Sequence, residues 1–267
     1  MSAVWLIGDP VAHSLSPAMH NAAFTALGLP HRYEAKEVKA EQLDAAVERL
    51  RREDVLGANV TIPHKEAVLR LVDEVSDEAR RIGAGNTIAR RGGRLAADNT
   101  DGYGFRRALE GVPIGSRRAL VLGAGGAARA CTFELLRMGF EVSVANRSRD
   151  RAESLARSLR VDRARAHAVA WPTQGDLDAT DLLVNATPLG MQNEDPIKGR
   201  RLPRAIVDLV PLATETPLVK RAKAAENVTV VDGLSMLLHQ AARSFELWTG
   251  VAAPLEAMRS ALPRPVP

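Results

Sequence analysis

The stretch "ALVLGAGGAARACTFELLRMG" constrains this chain more than any other. An apolar, strand-like run enters Gly123-Ala124-Gly125-Gly126-Ala127-Ala128 and leaves directly as a helix-like run. Small residues there permit a tight turn, let the backbone approach a pyrophosphate, and let helix and strand pack closely. The helix N-terminus meanwhile turns its free N–H groups and positive dipole toward an anion. Gly123, Gly125 and Ala128 fill the three positions of a G-x-G-x-x-G/A pattern, and the strand-turn-helix setting is what makes that pattern informative. A tight turn with no ligand is the plainer alternative.

A unit that binds NAD carries Asp or Glu at the end of its second strand, about 20 residues on, to accept from the ribose 2′-hydroxyl. Here that strand ends in "VANRSRDR". Asn146 and Arg147 stand where the acid would be, followed by Arg149 and Arg151. A guanidinium pairs with a 2′-phosphate and has no comparable partner on a bare ribose, so NADP is the expected cofactor. These arginines could instead simply begin a helix, but unneutralised cations there oppose its dipole, an objection that Asp150 partly answers.

Apolar and amphipathic runs alternate along the whole chain: "AVWLIG", "SPAMHNAAFTALG", "EQLDAAVERLRR", "LGANVTI" and "KEAVLRLV" before residue 100, then "EVSVAN", "LLVNAT", "AIVDLV" and "VTVVDG" after the glycine turn. This strand and helix alternation predicts parallel α/β sheets. "NTIARRGGRLAADNTDG" reads as a hairpin about Gly92-Gly93 followed by a helix from about Gly102, and "SMLLHQAARSFELWTG" as a helix from about Ser235. With 267 residues, 46% of them hydrophobic, the chain can bury a large core in one or two domains.

The 36 basic residues are interleaved with 32 acidic ones, which reads as solvated helix faces rather than a nucleic-acid surface. No apolar run is long enough for a signal peptide or a membrane span, a single Cys excludes an internal disulfide framework, and no Cys or His grouping has zinc-ligand spacing, so no metal is expected. A reduced, cytoplasmic setting is the default. The proline-rich end, "LPRPVP", reads as frayed.

Polar residues gather at the ends of the elements in the first hundred residues. Ser14 and Ser16 precede a helix with Pro17 at its start; Ser16 reads as an N-cap, but capping does not account for both hydroxyls, and the pair suits a small carboxylate. Asn59 and Thr61 share a parity near the C-terminal end of a strand, where ligands bind in open α/β sheets. Asn86 and Asp101 sit in "GAGNT" and "DNTDG", places where an isolated residue is ordinary turn chemistry. Lys65, in "GANVTIPHKEA", arrives just after Pro63 at the start of a helix-like run.

Taken in order, "GDPVAHSLSPAMHNAAF", "GANVTIPHK", "GAGNT", "DNTDGYGF", "GAGGAARA", "ANRS", "NATPLGM" and "GLSMLLHQAARSFELWTG" resemble the shikimate dehydrogenase family over almost the whole chain. The resemblance implies a catalytic pair, Lys65 with Asp101, at a cleft between two domains. It implies a carboxylate site at Ser14 and Ser16, ring-hydroxyl contacts at Asn59, Thr61, Asn86, Asp101 and Gln240, and further cofactor contacts at Thr187, Gly233 and Met236. Gln240 would otherwise read as an ordinary helix-face amide. The pairing makes chemical sense, because an exposed lysine, with an ordinary pKa of about 10.4, is a poor proton shuttle near neutrality.

The expected architecture is therefore α/β in two domains. A substrate domain with a mainly parallel sheet comprises residues 1–103 and regains the C-terminal helices at 235–267; a Rossmann NADP-binding domain spans 104–234. The expected reaction is reversible reduction of 3-dehydroshikimate to shikimate with NADPH by a monomer or homodimer. Pro211, in "DLVPLATETP", stands where the family usually carries Tyr, which leaves quinate or aminoshikimate as alternative substrates. A non-catalytic NADP-binding regulator is the alternative from another class, and a Lys and Asp pair argues against it. A folate or tRNA-linked substrate would need a more basic or aromatic cleft than a chain with 4% aromatics offers.

Overall fold

A computed structural model describes residues 2–263, so the last four residues of the proline-rich end lie outside it. The chain divides into two compact units, one of residues 1–104 with 237–267 and the other of residues 105–236.

The first unit contains β1 (Ser2–Gly8), α1 (Ser16–Ala26), β2 (His31–Glu37), α2 (Leu43–Arg49), β3 (Val55–Val60), β4 (Glu74–Val75), α3 (Asp77–Ile82), β5 (Thr87–Arg91), β6 (Arg94–Asp98) and the start of α4 (Thr100–Ala108). Its sheet has the order β2-β1-β3-β5-β6-β4. Pairing is parallel for β1 with β2 and β3 and for β4 with β6, and antiparallel on both sides of β5. Five strands thus run one way and only β5 is reversed, the mainly parallel sheet expected. The reversal is made by the expected hairpin, with Gly92 and Gly93 at φ 58° and 84°, a turn that residues with a Cβ resist.

One face of this sheet buries Ile7, Val55 and Val60 against Leu43, Val47 and Leu50. The other is covered by α1 and by the long helix near the C-terminus, through Phe24, Phe245 and Trp248. Trp248 donates its indole N–H to the Ile88 carbonyl at 2.9 Å. Gly57 lies beneath that contact, where a Cβ would come within 2.8 Å of the indole nitrogen.

The second unit contains β7 (Arg118–Leu122), α5 (Gly126–Arg137), β8 (Glu141–Ala145), α6 (Arg149–Ser158), β9 (Arg160–Val161), β10 (Ala164–Val169), α7 (Gln174–Asp178), β11 (Leu182–Asn185), β12 (Ala205–Asp208), α8 (Pro217–Lys223) and β13 (Thr229–Asp232). Then come α9 (Gly233–Thr249), which continues into the first unit, and α10 (Leu255–Ser260). The strand order is β13-β12-β11-β7-β8-β10-β9, parallel except for the two-residue β9. Without β9 this is the doubly wound order of a Rossmann sheet, reversing direction between β7 and β11. Both faces are covered, which is why β7, β11 and β12 read as continuous apolar runs.

Two local expectations are corrected, and two strands went unexpected. The run after Lys65 forms only a 3-10 turn, Ala67–Arg70, not a helix over "KEAVLRLV". The Gly85 N–H takes the Lys65 carbonyl at 2.8 Å, so that acceptor is diverted from any helical ladder. Ser16 is the first residue of α1 rather than its N-cap; Ser14 Oγ instead accepts from the Ser16 N–H at 3.3 Å. Strands β9 and β10 were not legible, because β9 has only two residues and "ARAHAV" leaves Arg165 and His167 exposed where an apolar run would be expected.

Candidate active site

Lys65 Nζ lies 2.6 Å from Asp101 Oδ2, with the two side chains 14% and 5% exposed. Asp101 sits in the first turn of α4, and its other oxygen, Oδ1, accepts from Asn86 Nδ2 at 3.0 Å. The orientation of Asn86 is set by the backbone: the Thr100 N–H, which can only donate, reaches Asn86 Oδ1 at 2.7 Å, leaving Nδ2 to serve Asp101, Thr100 Oγ1 and Gln240 Oε1. An ammonium and an amide donor therefore hold the carboxylate from both sides, in a place mostly withdrawn from water. Such a pair can hold and deliver a proton at a defined point.

Asn59 continues this cluster inward. Its Nδ2 lies 3.1 Å from the Asn86 carbonyl, 3.1 Å from Thr87 Oγ1 and 3.0 Å from Ser244 Oγ. Ser244, fully buried on α9, also meets Thr87 and Thr100 hydroxyls at 2.8 and 3.0 Å and donates to the Gln240 carbonyl. Lys65, Asn59, Asn86, Asp101 and Gln240 thus come together, joined by Thr87, Thr100 and Ser244, which the sequence reading did not single out. Thr61 stands apart from these contacts, its methyl packed at Gly8 and its backbone N–H on the Ile7 carbonyl. His64, beside Lys65, is buried with Nε2 2.6 Å from the Val38 carbonyl and anchors the turn.

Near Ser16, Tyr33 Oη donates to Asn59 Oδ1 at 2.8 Å. His20, one turn along α1, stacks on the Tyr33 ring with centroids 4.4 Å apart. Burial lowers the His20 pKa to about 3, against a weaker opposing pull from Asn59. This imidazole is therefore neutral at working pH.

In the second unit the glycine turn lies at the C-terminal end of β7, beside the point where the sheet reverses. Gly123 has φ 113°, and a Cβ there would lie 2.7 Å from the Ala186 carbonyl oxygen after β11. Around Gly125, by contrast, a Cβ would meet nothing within 4 Å, so open space faces the N-terminus of α5. No side chain caps that terminus and no acid occupies its first turn, which leaves its N–H groups for a ligand. Ala124 and Ala128 are buried, while Gly126 and Ala127 remain partly accessible at the turn.

Asn146 and Arg147 follow directly on β8. Asn146 donates to the Ser148 carbonyl at 2.9 Å, and Arg149 pairs with Glu153. Arg147 is exposed and, among the described residues, has no hydrogen bond or ion pair. Arg151 is exposed in the first turn of α6.

Asp208, which the sequence reading passed over, ties two loops of this unit together. It accepts from Asn185 Nδ2 at 2.8 Å, from the Thr216 hydroxyl and from the Val210 N–H, and its burial pushes its pKa up. Asn185 Oδ1 in turn accepts from the Thr187 hydroxyl at 2.6 Å, which sets Thr187 at the end of β11. Gly233 is a close-approach glycine, since a Cβ there would lie 2.7 Å from the Leu209 carbonyl carbon; Met236 is buried one turn further along α9. Pro211 follows Val210 on the loop anchored by Asp208. Among the described residues, no group of three or more His, Cys, Asp or Glu could hold a metal, and no helix is long and apolar enough to cross a membrane.

A doubly wound sheet with a small-residue turn at its reversal point, joined to a second α/β unit bearing a partly buried lysine and aspartate, defines the class of two-unit α/β dinucleotide-binding proteins. The sequence comparisons narrow this. Residues 6–88 match the shikimate dehydrogenase substrate binding domain, residues 107–209 the shikimate/quinate 5-dehydrogenase family, and residues 233–262 the shikimate 5′-dehydrogenase C-terminal domain. The NADP(+) shikimate dehydrogenase of Symbiobacterium thermophilum is 45% identical, over 96% of this chain and 92% of its own. The solved shikimate 5-dehydrogenase of Thermus thermophilus, in complex with NADP(H) and shikimate, superposes with a TM-score of 0.85 at 42% identity and 98% coverage of both chains. A quinate dehydrogenase from Corynebacterium glutamicum, in complex with NAD, has a TM-score of 0.88 at 31% identity, covering 97% of this chain and 98% of its own. The chain belongs to the shikimate dehydrogenase family.

Proposed function

We propose that this chain catalyses the reversible, NADP-dependent reduction of 3-dehydroshikimate to shikimate. The observation that carries the reading is the Lys65 and Asp101 pair, braced by Asn86 in a nearly dry cluster of hydroxyl and amide groups. A protein that only bound the dinucleotide would have no use for that pair. The 45% identity to a relative named for this activity supports the same reading.

When bound, NADPH supplies the hydride for the carbonyl carbon. The open turn at Gly125, the uncapped N-terminus of α5 and the free guanidinium of Arg147 fit its pyrophosphate and 2′-phosphate, with Gly123, Ala124, Gly126, Ala127, Asn146, Arg151, Thr187, Gly233 and Met236 shaping the remaining contacts. Lys65 polarises the carbonyl oxygen and gives it a proton; in the oxidative direction it takes the proton back. Asp101 holds the ammonium and accepts from the adjacent ring hydroxyl. Ser14 and Ser16 take the carboxylate, and Thr61, Asn86 and Gln240 complete the ring-hydroxyl contacts, with Asn59 bracing them. The residues 1–104 and 237–267 thus serve the substrate, and residues 105–236 the cofactor.

Quinate is the second reading, favoured by Pro211 at the position of the usual Tyr and by the likeness to a quinate dehydrogenase. Initial rates with shikimate, quinate and aminoshikimate, each with NADP and with NAD, decide between them. The highest kcat/KM is expected for shikimate with NADP, and a preference for quinate with NAD would refute the assignment.

A further inference from the structure

Tyr33 is one of only two tyrosines in the chain and is 2% exposed. It lies on β2, at the edge of the first sheet, so its outward backbone groups have no neighbouring strand. Asn21 of α1 replaces that strand: its Nδ2 donates to the Tyr33 carbonyl at 3.0 Å, and the Tyr33 N–H donates to its Oδ1 at 2.8 Å. The neighbouring helix residue, His20, stacks on the ring at an interplanar angle of 12°, and Trp248 tilts against it at 6.1 Å. Backbone and ring are thus both held by neighbouring side chains, the backbone by the Asn21 amide and the ring by His20 and Trp248. Core filling alone needs only the ring, which phenylalanine would supply.

The hydroxyl has a specific task. Asn59 Nδ2 must face the Asn86 carbonyl, which can only accept, so Asn59 Oδ1 must face Tyr33 and the phenol must donate. Burial raises the Tyr33 pKa, with the Ser16 hydroxyl pulling it back, so the donor keeps its proton throughout the working range. The phenol therefore stands between Ser16 and the polar cluster.

We propose that Tyr33 is a positioning residue for the substrate subsite, its hydroxyl fixing the Asn59 carboxamide on which Asn86 and Thr87 rest, and thereby linking the serine pair to the ring-hydroxyl contacts. The inference rests on the shikimate reading of that site. Without the phenol proton, Asn59 Oδ1 loses the hydroxyl that holds it while Nδ2 stays tied to the Asn86 carbonyl, Thr87 and Ser244, so the carboxamide shifts toward those contacts and misplaces the Asn86 end of the cluster. The cofactor turn, built wholly from the other unit, is untouched.

The test is Tyr33→Phe, which keeps the stacking. Steady-state kinetics should show a KM for shikimate raised about three- to tenfold, with kcat within about twofold and the KM for NADP unchanged. In thermal melts the rise in Tm produced by shikimate should shrink, while that produced by NADP stays the same. An unchanged shikimate KM would overturn the role. So would parallel losses toward both ligands, or a lower Tm with both KM values intact, since either marks Tyr33 as a core residue alone. The wild type reports on the underlying reading separately: turnover of shikimate by the wild type with no KM split in the variant defeats only the Tyr33 proposal. No turnover by the wild type defeats the shikimate reading and the proposal together.

Discussion

Asp101 receives Lys65 Nζ at 2.6 Å on one carboxylate oxygen and Asn86 Nδ2 at 3.0 Å on the other. An amide at this position would turn one of its ends, an NH₂ group, toward another donor, and it would lack the charge that holds the ammonium. Asp101→Asn should therefore lower kcat roughly a hundredfold or more. Lys65 is 14% exposed and can regain water, so the fold should persist, as checked by circular dichroism and a thermal melt. An unfolded or insoluble variant would show Asp101 to be structural.

Arg147, exposed at the end of β8 and committed to no protein partner among the described residues, is the group expected to meet the 2′-phosphate. Arg147→Ala should raise the KM for NADP roughly tenfold or more and leave that for NAD nearly unchanged. Equal losses with both cofactors would place the guanidinium elsewhere on the dinucleotide.

His20 links stability to acid. Its pKa is about 3 in the folded chain against an ordinary value of 6.5, so above pH 6.5 both states are neutral and the full stability is present. Below that, the unfolded chain takes up a proton that the folded chain refuses, and stability falls by about 1.4 kcal/mol per pH unit until the folded pKa is approached. His20→Phe, which retains an aromatic ring against Tyr33, should lose this component. Denaturant melts of both proteins between about pH 7 and pH 4 should show the wild type losing stability more steeply, and parallel curves would contradict the account.

Pro211 stands where the family resemblance implies a tyrosine. Loss of one neutral hydrogen bond costs about 0.5–1.5 kcal/mol, so shikimate should be held several-fold more weakly than with tyrosine present. Pro211→Tyr should lower the KM for shikimate with little change in kcat. No change in KM would place the residue outside the pocket.

Local signals were the legible ones. The glycine turn, the Gly92-Gly93 hairpin and the apolar strands of the covered sheet each declare themselves within a few residues, because turn geometry and burial on both faces dictate the residue types. The polar cluster was half legible: Asn59, Asn86 and Asp101 stood out and Gln240 was reached only through the family resemblance, but their connection did not show. Ser244 reaches Asn59 across 185 residues, and one serine on a helix carries no sign of such a partner. Tyr33 and His20 carry no sign of their partners in the sequence for the same reason. Strand β10 was missed because one of its faces is solvated and tolerates Arg165 and His167, which a strand buried on both faces would exclude.

The central claim is that Lys65 moves the proton in a shikimate and NADP reaction, and the most direct test is the initial rate of NADPH formation from shikimate and NADP by wild type and Lys65→Ala. The wild type should turn over. The variant's kcat should fall by roughly two to four orders of magnitude, with only a modest change in KM for either substrate. A wild type that forms no NADPH from shikimate, or a variant with nearly normal kcat, would contradict the account.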